Sequence, residues 1–248
     1  MKIMSFNLLC AGNNEHWWPN RIDLVTNTIK EVAPDLLGVQ EAHQGWMDVL
    51  TNALEDYSYV GVGRDDGKTG GEYSAIFYRT EDFEALDSGN FWLSKTPDVP
   101  SKGWDAACIR ICTWAKLRNL KSGDTFVYMN THTDHKGRKA KSEGAKLIAA
   151  MAKEIAGDLP VYLSGDFNSR PDDIAIKAIK DKGFFDVREI AVDADKGPTW
   201  HSYGAVPAEI LDYIFTNKPE TEIKKFSVIK NHPGEKPPSD HYPIVAII

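Results

Sequence analysis

The chain has 248 residues, 42% hydrophobic and 26% charged, with a formal net charge of −7. That length and apolar content suffice for one large core, and the acidity argues against non-specific coating of nucleic acid as the main task, since affinity for phosphate backbones comes chiefly from Lys and Arg. Nothing approaches the roughly 18 consecutive apolar residues a spanning helix needs.

No repeat, linker or apolar leader stands out, so one domain over 1–248 is expected, without membrane insertion, monomeric and cytoplasmic. Cys10, Cys108 and Cys112 lack metal-ligand spacing and read as reduced residues. Asn231 to Ser239, with Pro233, Pro237 and Pro238, reads as a loop and not a domain boundary.

Residues 2–9 alternate as a strand ending at Asn7, with Ser5 and Asn7 on one face and Met4 and Phe6 on the other. Trp18 to Val32 has helical spacing (Ile22, Val25, Ile29, Val32) and stops before Pro34. Leu36 to Val39 is a buried strand ending in Gln40-Glu41, and a helix follows near Gln44 to Leu54. Strands are predicted at Tyr57–Val62, Glu72–Tyr78, Phe83–Trp92, Ile109–Leu117 and Thr125–Thr131, separated by Gly67, Gly70-Gly71 and Ser122-Gly123. Lys139 to Ala156 is a long amphipathic helix with Ala145, Ile148, Ala149, Ala152 and Ile155 on one side. The run Pro160-Val161-Tyr162-Leu163 leads to Asp166, a short helix near Asp172–Lys180 opens at Pro171, and strands Ile210–Phe215, Phe226–Ile229 and Tyr242–Ile248 close the chain. Mixed helices and hairpin-length gaps predict an α/β fold with two packed sheets covered by helices.

Gly165-Asp166-Phe167-Asn168 is the most informative segment. Asp166 and Asn168 are two apart at a strand end, so their side chains leave the same side of the backbone. Aspartate can take a proton from water or stand beside a cation, and asparagine can hold an attacking oxygen without adding charge. An Asx turn closing the strand is the plain structural reading of the same letters. Asn7, Glu41 and Asp240-His241 also sit at strand ends, where sheet proteins place chemistry. Asp212 alternates with the apolar Leu211, Tyr213 and Phe215, and a lone buried Asp there would be costly without a partner.

Taken in order, Met4-Ser5-Phe6-Asn7, Gln40-Glu41, Asn130-Thr131-His132, Gly165-Asp166-Phe167-Asn168, Leu211-Asp212-Tyr213-Ile214-Phe215 and Ser239-Asp240-His241 resemble the motifs of the endonuclease/exonuclease/phosphatase superfamily, whose fold is the one seen in pancreatic deoxyribonuclease. The resemblance implies a four-layer α-β-β-α sandwich of two mixed sheets flanked by helices, and a hydrolase of phosphate esters dependent on Mg²⁺ or Mn²⁺. A phosphodiesterase or nuclease is the first expectation. A phosphomonoesterase, a phospholipid or inositol-phosphate hydrolase, or a catalytically silent binder of phosphate ligands are the alternatives. It further implies that Glu41 and Asn7 hold the metal with Asp240 beside it, and that Asp166 and Asn168 handle the water. His241 would contact the phosphate, oriented by Asp212, while His132 would be a second histidine partnered by Glu72. Arg110 and Tyr78 match positions where relatives place phosphate contacts.

Asn130-Thr131-His132-Thr133-Asp134-His135 also approaches the His-x-His-x-Asp-His binuclear zinc signature, with Asn130 in place of its first histidine. Lys136, Arg138, Lys139 and Lys141 read either as a guide for a polyanion or as a solvated helix turn. Trp17, Trp18 and Trp104 are candidates for stacking a substrate or for anchoring loops.

Overall fold

A computed structural model describes residues 1–10, 16–230 and 236–248; positions 231–235 of the proline-containing loop lie outside the described residues. The first sheet contains β1 (Lys2–Asn7), β2 (Leu36–Gln40), β3 (Tyr57–Val60), β4 (Ile76–Arg79), β10 (Asp193–Ala194), β12 (Lys225–Val228) and β13 (Ile244–Ile247), in the order β10-β12-β13-β1-β2-β4-β3. The second contains β5 (Phe83–Trp92), β6 (Ile111–Asn119), β7 (Thr125–His132), β8 (Val161–Asp166), β9 (Phe185–Asp186) and β11 (Asp212–Thr216), in the order β5-β6-β7-β8-β11-β9. Helices α1 (Ile22–Val32) and α2 (Gln44–Ala53) cover the first sheet. Helices α3 (Arg138–Ala156) and α4 (Ile174–Lys180) cover the second, giving the four-layer sandwich. A short α5 (Val187–Ile190) follows β9.

Strand parity builds these layers. In β1, Met4 and Phe6 join Val25, Ile29 and Trp46 beneath α1 and α2, while Ile3 faces the other sheet. In β8, Val161 and Leu163 meet Ala145, Ile148 and Ala152 of α3, while Tyr162 faces inward. Alanines on α3 let the helix lie close to the sheet, and removing this apolar surface from water supplies the driving force for both outer layers.

Along the space between the sheets the chemistry changes in a regular way. Ile3, Leu36, Tyr128, Ile214 and Ile244 form an apolar end. Two residues on, Gln40 Nε2 donates to Asn130 Oδ1 (2.7 Å) and Ser5 Oγ (3.0 Å), Ser164 Oγ donates to Asn130 Oδ1 (3.1 Å), and Asn130 Nδ2 donates to the carbonyls of Val39 (2.9 Å) and Ala75 (3.0 Å). Buried polar groups joined in this way lock one sheet to the other, with Gln40 Oε1 the one atom of these amides left without a hydrogen-bond partner. Beyond them the same faces end in Asn7, His132 and Asp166. Two parallel strand pairs, β1 with β2 and β7 with β8, therefore deliver their C-terminal ends to one rim.

Chain ends meet as well. β13 pairs antiparallel with β1, and the Met1 ammonium donates to the Ile248 carbonyl at 2.7 Å.

Several predicted boundaries shift. The 18–32 helix divides into a 3-10 turn at Trp18–Arg21, where Pro19 sits in the first turn, followed by α1. The 72–78 strand contracts to Ile76–Arg79, leaving Tyr73 an isolated bridge to Ala42. The elements β9, β10, α5 and a 3-10 turn at Ser202–Gly204 are too short for periodicity to reveal. Cys10, Cys108 and Cys112 form no disulfide among the described residues. Among the described residues no helix is long and apolar enough to cross a membrane.

Candidate active site

Strand register places the central side chains next to one another. Asp166 of β8 lies opposite His132 of β7 on one side and Asp212 of β11 on the other. Gly165 permits this packing, since a Cβ there would stand 2.1 Å from the Thr131 carbonyl oxygen. The backbone then turns sharply: Asn168 has φ +44°, and across the cleft Glu41, just past β2, has φ +58°. Left-handed backbone at two non-glycine residues is strain held in place by the surrounding structure, and it concentrates at functional sites.

A cleft of about 640 Å³ opens at this rim, lined among others by Glu41, Asp166, Asn168, His132, His241 and Asp240. Asn7 binds its two acids together, its Nδ2 donating to Glu41 Oε1 (3.1 Å) and Asp166 Oδ2 (2.9 Å). Its Oδ1 accepts from the Leu9 amide at 3.0 Å, so Asn7 turns its donor and not its oxygen toward the acids. In this arrangement Asn7 positions the two carboxylates. Glu41 Oε2 accepts from Cys10 N (2.9 Å), and Asp166 Oδ1 accepts from Asn168 N (2.8 Å).

His241 Nδ1 bonds Asp212 Oδ2 at 2.9 Å, and its Nε2 lies 3.7 Å from Asp166 Oδ2. Burial alone would lower this histidine's pKa, but the carboxylates of Asp212 and Asp166 outweigh it and lift the value to about 10. Asp212 is itself held by its backbone, the amides of Leu211 and Asp212 both donating to Thr199 Oγ1 at 3.0 Å. Burial raises Asp166 to about 7, with the charge of His241 pulling the other way. His132 differs. Its Nε2 receives Asn168 Nδ2 at 2.9 Å, and burial with the charges of Arg110 and Arg64 pushes it well below the ordinary histidine range, so the ring is neutral.

Glu72 does not orient His132 as expected. Its carboxylate is 3.9 Å from His132 Nδ1, and both its oxygens are taken by Arg64, at 2.6 and 2.9 Å. A bidentate guanidinium outcompetes a neutral imidazole for a carboxylate. Arg110 lines the cleft at 5% exposure, with Nη2 on His135 Nδ1 (3.2 Å) and with Nε and Nη1 lacking any hydrogen-bond partner. Tyr78 is the other correction: it packs against the apolar inter-sheet cluster, paired with Leu36 at the opposite end of β2 from Glu41. Because β4 runs antiparallel to β2, its later residues lead away from the cleft.

Asp134 settles the zinc alternative. Oδ2 accepts from the amides of Ala107 (2.9 Å) and Cys108 (3.2 Å), Oδ1 from those of Lys136 (2.9 Å) and Gly137 (2.6 Å), and Asn130 is spent in the inter-sheet network. Asp134 is a staple between two loops. Of the basic run, Lys141 reaches the cleft and donates to the Asn168 carbonyl at 2.6 Å.

Sequence reasoning missed three residues. Trp200 lines the cleft, donates Nε1 to Asp240 Oδ2 (3.2 Å) and bridges His241 by its backbone. Arg64 carries the ion pair above. Arg21, 2% exposed, donates to the carbonyls of Leu8, Leu9, His16 and Pro238, tying together both segments that border Glu41 and Asp240. A single Arg within a helix-like stretch and a Trp between turns carry no periodic signal.

Among the described residues, ligand atoms of Glu41, His132 and Asp166 lie within 4.8 Å of one another, as do those of Asp166, Asp212 and His241. The second group already contains a charged imidazole as counter-ion. In the first, Asn7 and Cys10 offer only neutral donors to Glu41, and the hard oxygens with a neutral ring suit a divalent cation such as Mg²⁺ or Mn²⁺. Asp240 lines the same cleft outside this group, its carboxylate bonded to Trp200.

Two mixed sheets face to face, with acids, histidines and an asparagine gathered at one rim, define the phosphoester-hydrolase class of α-β-β-α sandwich. Residues 4–241 match the model of the Endonuclease/Exonuclease/phosphatase family, and the chain belongs to that family. It is similar to the endonuclease/exonuclease/phosphatase of Bacteroides vulgatus, at 36% identity and a TM-score of 0.92 over 99% of this chain and 97% of the other. The mannosyl-6-phosphatase of Bacteroides thetaiotaomicron is 34% identical, with a TM-score of 0.93 over 100% of this chain and 98% of the other. The 3'-5'-exoribonuclease subunit Ccr4 of Emericella nidulans is 23% identical over 258 residues, which cover 75% of this chain but only 38% of that protein.

Proposed function

We propose that the protein is a divalent-metal-dependent hydrolase that removes a terminal phosphate from a phosphorylated carbohydrate. The observation that carries the reading is Arg110, buried in the wall of the cleft that the charged His241 also lines, with no hydrogen-bond partner on Nη1 and with Nε 3.8 Å from Asp134 Oδ2. A buried guanidinium nitrogen without a hydrogen-bond acceptor and an imidazolium in the same cleft match the non-bridging oxygens of a phosphate monoester dianion. A relative similar over its whole length is a mannosyl-6-phosphatase, which supports a sugar as the esterified alcohol.

In this reading Asp166 takes the proton of the attacking water while the water oxygen forms the new bond to phosphorus, the bond from phosphorus to the sugar oxygen breaks, and the departing oxygen takes a proton from solvent to leave as the alcohol. Asn168, tethered to Asp166 and His132, positions that water. His241, charged and aligned by Asp212, donates from Nε2 to the phosphate as negative charge builds on it. His132 stays neutral and fixes Asn168. Glu41 and Asp166 would hold Mg²⁺ or Mn²⁺, which neutralises phosphate charge when bound.

A second reading, a phosphodiesterase or nuclease, is favoured by one feature: Lys136, Arg138, Lys141 and Lys177 line a groove that adjoins the cleft through Lys141 and Asp173. The deciding assay is a panel of hexose phosphates, a small diester and an oligonucleotide, with magnesium, manganese or chelator. Phosphate release from hexose phosphates, abolished by chelator, is expected. Faster cleavage of the oligonucleotide, declining steeply with salt, would replace the first reading with the second.

A further inference from the structure

A second hollow, of about 500 Å³, adjoins the cleft and shares Arg64 and Glu72 with it. Its other walls include Trp17, Trp18, His43, Asp65 and Thr69. We propose that it is the subsite for the ring of the departing alcohol, a pyranose stacked on the indole of Trp17 with its hydroxyls turned to Asp65 and Arg64. The proposal rests on the carbohydrate-phosphatase reading above and adds where the carbohydrate lies.

The two neighbouring indoles have different surroundings. Trp18 packs edge-on to His43 (4.8 Å between centroids) and against the buried Trp46 (5.4 Å), so it belongs to the core beneath α1 and α2. Trp17 is 46% exposed and stands in the wall of the hollow. A large indole surface left open beside a reaction centre is suited to an apolar ring face. Of the two indoles in this wall Trp17 is the exposed one and Trp18 is half-buried against His43 and Trp46, so Trp17 offers the main stacking face.

The opposite wall supplies the polar edge. Residues 63–71 form a rigid loop in which Asp66 Oδ1 accepts from the amides of Lys68 and Gly70, both at 2.8 Å, and Asp65 N donates to the Gly70 carbonyl at 3.0 Å. Gly71 is required there: its φ is +80°, and a Cβ would stand 2.5 Å from the Asp65 carboxylate. That carboxylate, lying over Gly71 with a side chain 55% exposed, offers acceptors to hydroxyl groups. Arg64 holds Glu72 with its two terminal nitrogens, while its Nε is buried without a hydrogen-bond partner and lies 3.8 Å from Asp65 Oδ1. An unpaired donor in the wall common to both hollows fits an oxygen of a ligand spanning them. One apolar face with acceptors and a donor along the rim is the complement of a polyol ring.

The test compares a hexose 6-phosphate with glycerol 3-phosphate, which carries the same ester without a ring. Trp17→Ala should raise KM for the hexose phosphate about 10-fold, keep kcat within about twofold, and leave both constants for glycerol 3-phosphate unchanged, while Trp17→Phe restores most of the loss. Asp65→Asn should raise KM for the hexose phosphate alone. If Trp17→Ala affects both substrates equally, or neither, the subsite is overturned while the phosphatase reading stands. If the wild-type protein releases no phosphate from any hexose phosphate, the phosphatase reading fails in the unmodified protein and the subsite falls with it.

Discussion

Two histidines flank Asp166, and the halves of the site they head have opposite electrostatics. On one side His241 has a carboxylate, Asp212, at 2.9 Å and is charged. On the other His132 faces Glu72 at 3.9 Å, but Arg64 has claimed that carboxylate and His132 is neutral. Both rings are almost equally buried, at 5% and 6% exposure, so burial does not separate them. The partner's own commitments do. A carboxylate raises a histidine only when no stronger cation already occupies it, and the result here is one ring able to oppose phosphate charge and one able to orient a neutral amide.

Replacing the carboxylate between the two halves should do most damage. Asp166→Asn is expected to lower kcat by roughly 10²- to 10⁴-fold, the span of a lost general base. Its thermal midpoint should hold or rise, because burial raises the acid's pKa to about 7, so the cost of the buried anion sets in as pH climbs from the ordinary value of 3.8 and is fully present above about 7. Activity within tenfold of wild type would remove Asp166 from the proton transfer. Glu41→Gln, on the neutral side, should weaken Mg²⁺ binding on the order of 10²-fold by calorimetry and reduce turnover in step. Undiminished affinity would move the cation elsewhere.

Asp212→Asn tests the charged half. His241, raised to about 10, is protonated below that pH, so activity should persist to near pH 10 and fall above it in the wild type. Without the aspartate the alkaline limb should move down toward the ordinary histidine value of 6.5, with kcat near neutrality reduced roughly 10²-fold. An unmoved limb in the pH profile would dissociate Asp212 from the ring. The smallest effect belongs to Glu72→Gln, which should change kcat by less than about tenfold and leave the limb in place. Were Glu72 a true counterpart of Asp212, its variant would reproduce the Asp212 profile.

Much of this site could be read from strand ends. Asn7, Gln40-Glu41 and Asp166-Asn168 terminate apolar runs whose alternation gives both strand and facing, and parity alone turns Asp212 away from Tyr213 and Phe215. Strand direction has no such signature: Tyr78 has the right facing, but antiparallel pairing to β2 carries it to the wrong end of the sheet. Glu72 was misassigned because a loop decides its partner. The Arg64 amide donates to the Glu72 carbonyl at 3.1 Å across a turn built from glycines and aspartates, and that closure, invisible to periodicity, brings the guanidinium to the acid. Arg21 and Trp200 act through contacts made 217 and 40 positions away. Local pattern cannot register contacts of that range.

The pairing of β1 with β13 has a consequence for the order in which the protein becomes an enzyme. Until residues 244–247 have been synthesised, the strand bearing Asn7 presents an unprotected edge, and His241 has only just been added. A nascent chain on the ribosome therefore carries Glu41 and Asp166 long before it can assemble them with His241. Catalysis begins after elongation has passed the final strand, and the interval before it is when a passing chaperone or a neighbouring polypeptide has access to that edge.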